Sequence, residues 1–227
     1  MTTSAYAIAQ SLLPPAFIEW LMNETSGTTA FDTGTNSTTY NAPYTGTPTQ
    51  VNDVDLGDSL EFDRASTDAA NAGNIETITN VTIAMALKSN DASNSAVSVY
   101  HSNQSGVNSG DMGSSIESSS TIFSFFVQTS GGTTTITGTI TNNIKHVIVV
   151  TWNSVTKTLT LYIDDMVTAK ATNTYTGAGV FGANTEPFTI GDTNLGSSVS
   201  AGFRGNKVRI YNFDANASER AAIKAIT

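Results

Sequence analysis

The run Ile144-Lys145-His146-Val147-Ile148-Val149-Val150-Thr151-Trp152 is nearly continuously apolar, and it is followed by a polar turn that ends at Lys157. The chain then resumes as Leu159-Thr160-Leu161-Tyr162-Ile163, which alternates polar and apolar residues. β-Branched side chains are stiff at χ1 and suit a pleated surface. Val147 to Val150 leaves no polar face, so this segment is expected to be a central strand buried on both sides. Asp164-Asp165 then makes a tight turn into Met166-Val167-Thr168-Ala169.

Strand signals extend in both directions. Before this centre come Phe17 to Met22, Ser59 to Asp63, Val81 to Leu87, Val97 to Tyr100, Thr121 to Gln128 and Thr133 to Ile140. The last two flank Gly131-Gly132, a hairpin signal. After it come Phe188 to Gly191 and Lys207 to Phe213. The loop-like stretch Asn23 to Gln50 is long enough that it is expected either to hold one short strand or to carry a function. The Ser-rich patch Ser102 to Ser120 is expected to be an exposed loop.

A short helix or turn precedes Pro14-Pro15, which cannot sit inside a helix. Asn216 to Ile226 has a polar start and good helix formers, with Ser218 as the expected cap and Ala222 and Ile223 facing the sheet. Many short strands and one terminal helix predict an all-β fold, a two-sheet antiparallel jelly-roll sandwich with a short C-terminal helix. The expected organisation is an N-terminal arm at 1–16 and one sandwich domain at 17–227.

Composition excludes several functions. The chain has 227 residues, 10 Lys+Arg against 19 Asp+Glu, and a net charge of −9. That balance cannot neutralise many phosphates, so no nucleic acid is expected as a partner. There is no cysteine, hence no disulfide and no thiolate metal site. The longest apolar runs are far shorter than a membrane helix, and the start has no basic, apolar leader. No membrane partner is expected, and synthesis in a cytoplasm is. The 36 Thr, 25 Ser and 20 Asn fit outward strand positions and turns on a polar surface of low charge.

Four segments, taken in order, resemble the laminin-G-like branch of the concanavalin A-like lectin/glucanase superfamily. They are Phe17 to Asp32 with its Glu24-Thr25-Ser26-Gly27, Ser59 to Asp63, the hairpin His146 to Asp165, and Phe188 to Gly191 with Phe203 to Asn212 and the Ala217-Ser218-Glu219 helix start. Arg64 and Asp165 stand where the family usually has glycine. The resemblance implies two curved antiparallel sheets. It also covers free-standing copies in tailed-phage structural proteins, which are similarly rich in Thr, Ser, Asn and Gly.

Catalysis is not expected. The glucanase relatives use a Glu-x-Asp-x-x-Glu run that sets acid and nucleophile on one strand face. Here Glu61-Phe62-Asp63 has the first spacing, but position 66 is Ser. Asp53-Val54-Asp55 and Asp58 are expected to form an acidic exposed turn. His101 and His146, the only histidines, lack triad context and are expected to be structural. No metal site and no cofactor is assigned, although some relatives bind Ca²⁺ and Asp63, Asp164, Asp165, Asp192 and Asn194 supply oxygen ligands of the right kind. Tyr40, Tyr44, Tyr175 and Phe181 lie in loop-like segments and are candidate glycan platforms. Tyr6, Ile8, Leu12 and Leu13 form a candidate partner-docking arm.

The expectation from these features is a non-enzymatic virion structural protein, a phage capsid decoration or fibre component located in the virion. Its partners would be other virion proteins and further copies of itself. The alternative is a carbohydrate-binding module or adhesin with a glycan site on the concave sheet.

Overall fold

The structure, a computed structural model, describes residues 5–24, 26–35, 39–63, 68–75, 78–90, 96–101, 109–117, 121–182, 187–191 and 202–227. It is a two-sheet antiparallel sandwich with a short C-terminal helix. Sheet 1 runs in the order β14 (Ala171–Thr174), β13 (Thr158–Ile163), β12 (Lys145–Asn153), β7 (Val81–Ser89), β16 (Phe203–Tyr211), β5 (Gly57–Phe62), β4 (Thr49–Asp53), and β1 (Ile18–Trp20) pairs with β16. Sheet 2 runs β11 (Gly132–Thr139), β10 (Ile122–Thr129), β9 (Met112–Glu117), β8 (Ala96–His101), β15 (Pro187–Ile190), β6 (Ala69–Asn74), β3 (Ala42–Thr45), β2 (Thr29–Ala30).

The apolar run around Val147 is central, as its composition predicts. β12 lies between β13 and β7, with Val150 opposite Leu161 on one side and Ile83 on the other. Alternate residues serve two cores. Ile148, Val150 and Trp152 join Ile83, Met85 and Leu87 between the sheets, where Phe62, Phe123, Phe125 and Phe188 are also buried. Val147 and Val149 point the other way and pack with Ala84, Tyr211 and Ile223. Ile223 lies on α2 (Ala217–Ile226), so this helix roofs the outer face of sheet 1. α1 (Ala5–Ser11) lies on α2 in turn, where Ala9 packs with Ala222 and Ile226.

Several expectations need correction. Asn23 to Gln50 holds two short strands, β2 and β3, and the start of a third, β4. β6, with the sequence AANAGN, carries no β-forming signal and is held by its pairings to β15 and β3. The Ser-rich patch contains β9, paired on both sides, and His101 ends strand β8 rather than sitting in a loop. Met166 to Ala169 is not a strand; the chain re-enters the sheet only at β14. Asn216, not Ser218, caps α2: its side chain accepts from the Ser218 and Glu219 backbone N–H groups while Glu219 reaches back to the Asn216 N–H. Such a reciprocal box satisfies donors that the first helical turn leaves unpaired. Arg64 lies outside the described residues.

Candidate functional site

The chain crosses from sheet 2 to sheet 1 between β3 and β4, and each of these strands lies at or near a sheet edge. Beside β4 and the Asn23-Glu24 stretch that follows β1 is a groove of about 200 Å³. Asn23, Glu24, Gln50, Asn52, Asp58 and Ser59 line it. Gln50 and Asn52 alternate on β4, so the strand's period of two presents both amides on one face. β5 supplies Asp58 and Ser59 across the register pairs Asn52–Asp58 and Val51–Ser59.

Part of this polar set is satisfied internally. Asn52 Nδ2 donates to Asp58 Oδ1 at 2.7 Å, and the Phe31 N–H donates to Glu24 Oε1 at 2.9 Å. Gln50 Nε2 is buried without a hydrogen-bond partner among the described residues, and Glu24 Oε2 and the Tyr44 hydroxyl are buried facing each other with no closer partner. Tyr44 lies against Glu24, and burial together with that carboxylate's charge and its hydrogen bond to the phenol pushes the phenol well above its usual pKa. Buried polar groups are normally paired, and each orphan costs about 1–3 kcal/mol. An acceptor, an amide donor and a hydroxyl that both donates and accepts are the groups that recognise neighbouring sugar hydroxyls. Among the described residues no cationic side chain lines the groove, which suits a neutral ligand.

The candidate aromatic residues do not converge. Tyr40 is 5% exposed, its ring packs on Phe17 and its carbonyl accepts the Trp20 indole N–H, so it anchors the core. Tyr175 and Phe181 are half-buried in one segment that crosses the β10–β11 hairpin. The Tyr175 ring carries Lys157 Nζ at 5.6 Å, and Phe181 packs on Trp152. Of the four, Tyr44 alone lies beside a groove residue, Glu24, and it does not itself line the groove. Leu13 of the arm packs into the helix layer, whereas Tyr6, Ile8 and Leu12 remain exposed.

The acidic residues are also dispersed. Asp164 binds His146 Nδ1 at 2.6 Å and the Val147 N–H at 2.9 Å, Asp165 accepts from the Val167 N–H, and Asp63 is exposed in another part of the fold. Asp192 and Asn194 lie outside the described residues. His146 Nε2 accepts the Thr141 N–H at 2.8 Å, which assigns the ring proton to Nδ1 and gives this histidine a structural role. Asp53 is not an exposed turn residue. It is buried under Arg204 and Lys88, at 2.9 and 3.2 Å. Burial opposes its ionisation, but hydrogen bonds from the Asp55 N–H, Arg204, the Leu56 N–H and Lys88 outweigh that and hold its carboxyl far below the usual range. Glu61, the first residue of the partial glucanase run, pairs with Arg204 and accepts from Asn90.

Sequence reading passed over Gln50, Asn52 and Glu24 as site residues. The available signal was the alternation of amides at Gln50 and Asn52, which fell at the end of what looked like a loop.

No family model and no curated protein matches the chain. Solved structures do match its fold. The botulinum neurotoxin serotype D/C binding domain has a TM-score of 0.66 at 11% identity, over 93% of this chain and 52% of that one. A structure of botulinum neurotoxin type C, whose cell entry is described as dependent upon interaction with two ganglioside molecules, has a TM-score of 0.68 at 12% identity, over 99% and 53%. The serotype DC binding domain in complex with SialylT has 0.67 at 10% identity, over 94% and 52%. The chain spans about half the length of these structures, and the likeness shows a shared two-sheet β-sandwich fold.

Proposed function

We propose that the protein is a non-enzymatic carbohydrate-binding module that holds a neutral glycan in the groove beside β4. The observation that carries this reading is the cluster of buried polar groups on Glu24, Tyr44 and Gln50, in which the Gln50 amide nitrogen has no partner among the described residues and the Glu24 carboxylate and Tyr44 hydroxyl have only each other at their free ends. A sugar with vicinal hydroxyls satisfies an acceptor and a donor together, and the Tyr44 phenol adds a polar handle on an apolar body. That similar sandwiches occur in proteins described with gangliosides and SialylT is in keeping with this reading. Within the lectin-like sandwiches, the order of segments supports placement in the laminin-G-like branch. A glycan array followed by calorimetry on any hit tests the site: Glu24→Gln and Gln50→Ala each weaken binding about tenfold, the effect of one lost hydrogen bond. An array without hits, or a hit indifferent to both substitutions, removes the proposal.

A second reading, display on a phage particle in the virion, is favoured by the exposure of Tyr6 and Ile8 on α1 and of Leu12 just after it. It expects co-sedimentation of the protein with particles, lost in an Ile8→Asp/Leu12→Asp variant. Failure of the unaltered chain to co-sediment sinks it.

A further inference from the structure

A second cavity, about 150 Å³, lies between α1, β1, β16 and the end of α2. Its wall is chemically divided. Leu13, Pro14, Pro15 and Ile226 form an apolar side, while Glu19 and Arg209 are polar. Arg209 is 1% exposed. Its Nε donates to Glu19 Oε1 at 2.5 Å, and its Nη1 donates to the Ile226 carbonyl at 2.9 Å and to Thr227 Oγ1 at 3.2 Å. The remaining nitrogen, Nη2, is buried and has no partner among the described residues. An unsatisfied buried donor on a charged group is more costly than a neutral one, so an acceptor belongs in this space. The space is roughly ten times what one water needs.

Charge decides what that acceptor is. Glu19 already neutralises Arg209, and the Ile226 carbonyl sits at the negative end of α2. An added anion would meet uncompensated negative charge, in a chain whose net charge is −9. An uncharged oxygen meets none, and the proline wall matches a carbon face.

We propose that this cavity binds a small uncharged hydroxyl-bearing molecule, of about the size of propanediol, whose oxygen accepts from Arg209 Nη2 and whose carbons lie on Leu13, Pro14 and Pro15. The site shares no residue with the groove beside β4 and stands or falls separately from it. The test is titration of the full chain with 1,2-propanediol and, separately, with acetate, followed by the guanidinium NMR resonances of Arg209. A saturable response to the diol, with acetate at least tenfold weaker, is expected. Leu13→Trp, which fills the cavity and leaves the Glu19 pair intact, should abolish the response. Arg209→Lys, which keeps the charge but removes Nη2, serves as a second variant, with the diol's own NMR signals as the readout. No saturable response in the unaltered chain would mean a water-filled cavity and overturns the proposal. So does tighter binding of acetate, or an undiminished response in a folded variant.

Discussion

Asp53 shows what one carboxylate does when a sheet surface places like charges side by side. Lys145, Lys88, Arg204 and Glu61 are directly paired across β12, β7, β16 and β5. Adjacent cations repel, and Asp53 reaches over from β4 to bind two of them. Removing it in Asp53→Ala leaves Arg204 and Lys88 with less compensation and should cost about 3 kcal/mol, measured by urea unfolding. Its folded-state pKa is depressed, so its stabilisation is fully present above the unfolded value of about 3.9 and is lost as pH falls through the folded one. The stability gap between the unaltered chain and Asp53→Asn should therefore narrow steadily as the pH drops below about 4. A gap that stays constant down to pH 2 would contradict the assignment. Tyr44 is the opposite case. Its buried hydroxyl meets only the Glu24 carboxylate, so Tyr44→Phe should leave the melting temperature nearly unchanged while weakening glycan binding about tenfold. A structural role for the hydroxyl predicts a lower melting temperature.

At the scale of elements, legibility followed local pattern. β7, β10, β12 and β13 were readable because their apolar residues recur with a strand's period or without interruption. β6 was not, since AANAGN has neither β-branched nor aromatic side chains and its state depends on β15 and β3 beside it. The same dependence applies at its neighbour's end, where Gly191 adopts φ +97 and an added Cβ would lie 2.4 Å from the Asp68 carbonyl. Gly191→Ala should be severely destabilising, by roughly 2 kcal/mol or more, because strain and a backbone clash coincide. α2 depends on its capping box, and Asn216→Ala should cost about 1 kcal/mol in thermal unfolding. Ser218→Ala should cost less, since the Ser218 hydroxyl only donates to Asn216 Oδ1.

In the whole molecule, the central strands of sheet 1 are buried on both faces, between the sandwich core on one side and the helix layer on the other. Ile223 is fully buried in that layer. Ile223→Ala should lose about 3 kcal/mol and loosen α1 as well, seen as faster amide exchange in both helices. Exchange that rose in α2 alone would show that α1 is held by other contacts. The groove beside β4 is likewise a property of the whole. It exists because the chain leaves sheet 2 after β3 and enters sheet 1 at β4, bringing Gln50 and Asn52 next to Glu24 from the far end of a different strand.

The amino-acid order by itself determined the sandwich class, the central place of the Val147 to Val150 strand and the terminal helix, because each follows from local periodicity and from stiff β-branched side chains. It also carried the missing third carboxylate at Ser66, visible without any coordinates. Only the tertiary structure decided which polar residues are buried and which of those are unpartnered. Asp53, Arg209, Tyr44 and Gln50 look like ordinary surface residues in one dimension. Asp53 is held by side chains 35 and 151 residues away and Arg209 by one 190 residues away, and no local pattern encodes such distances.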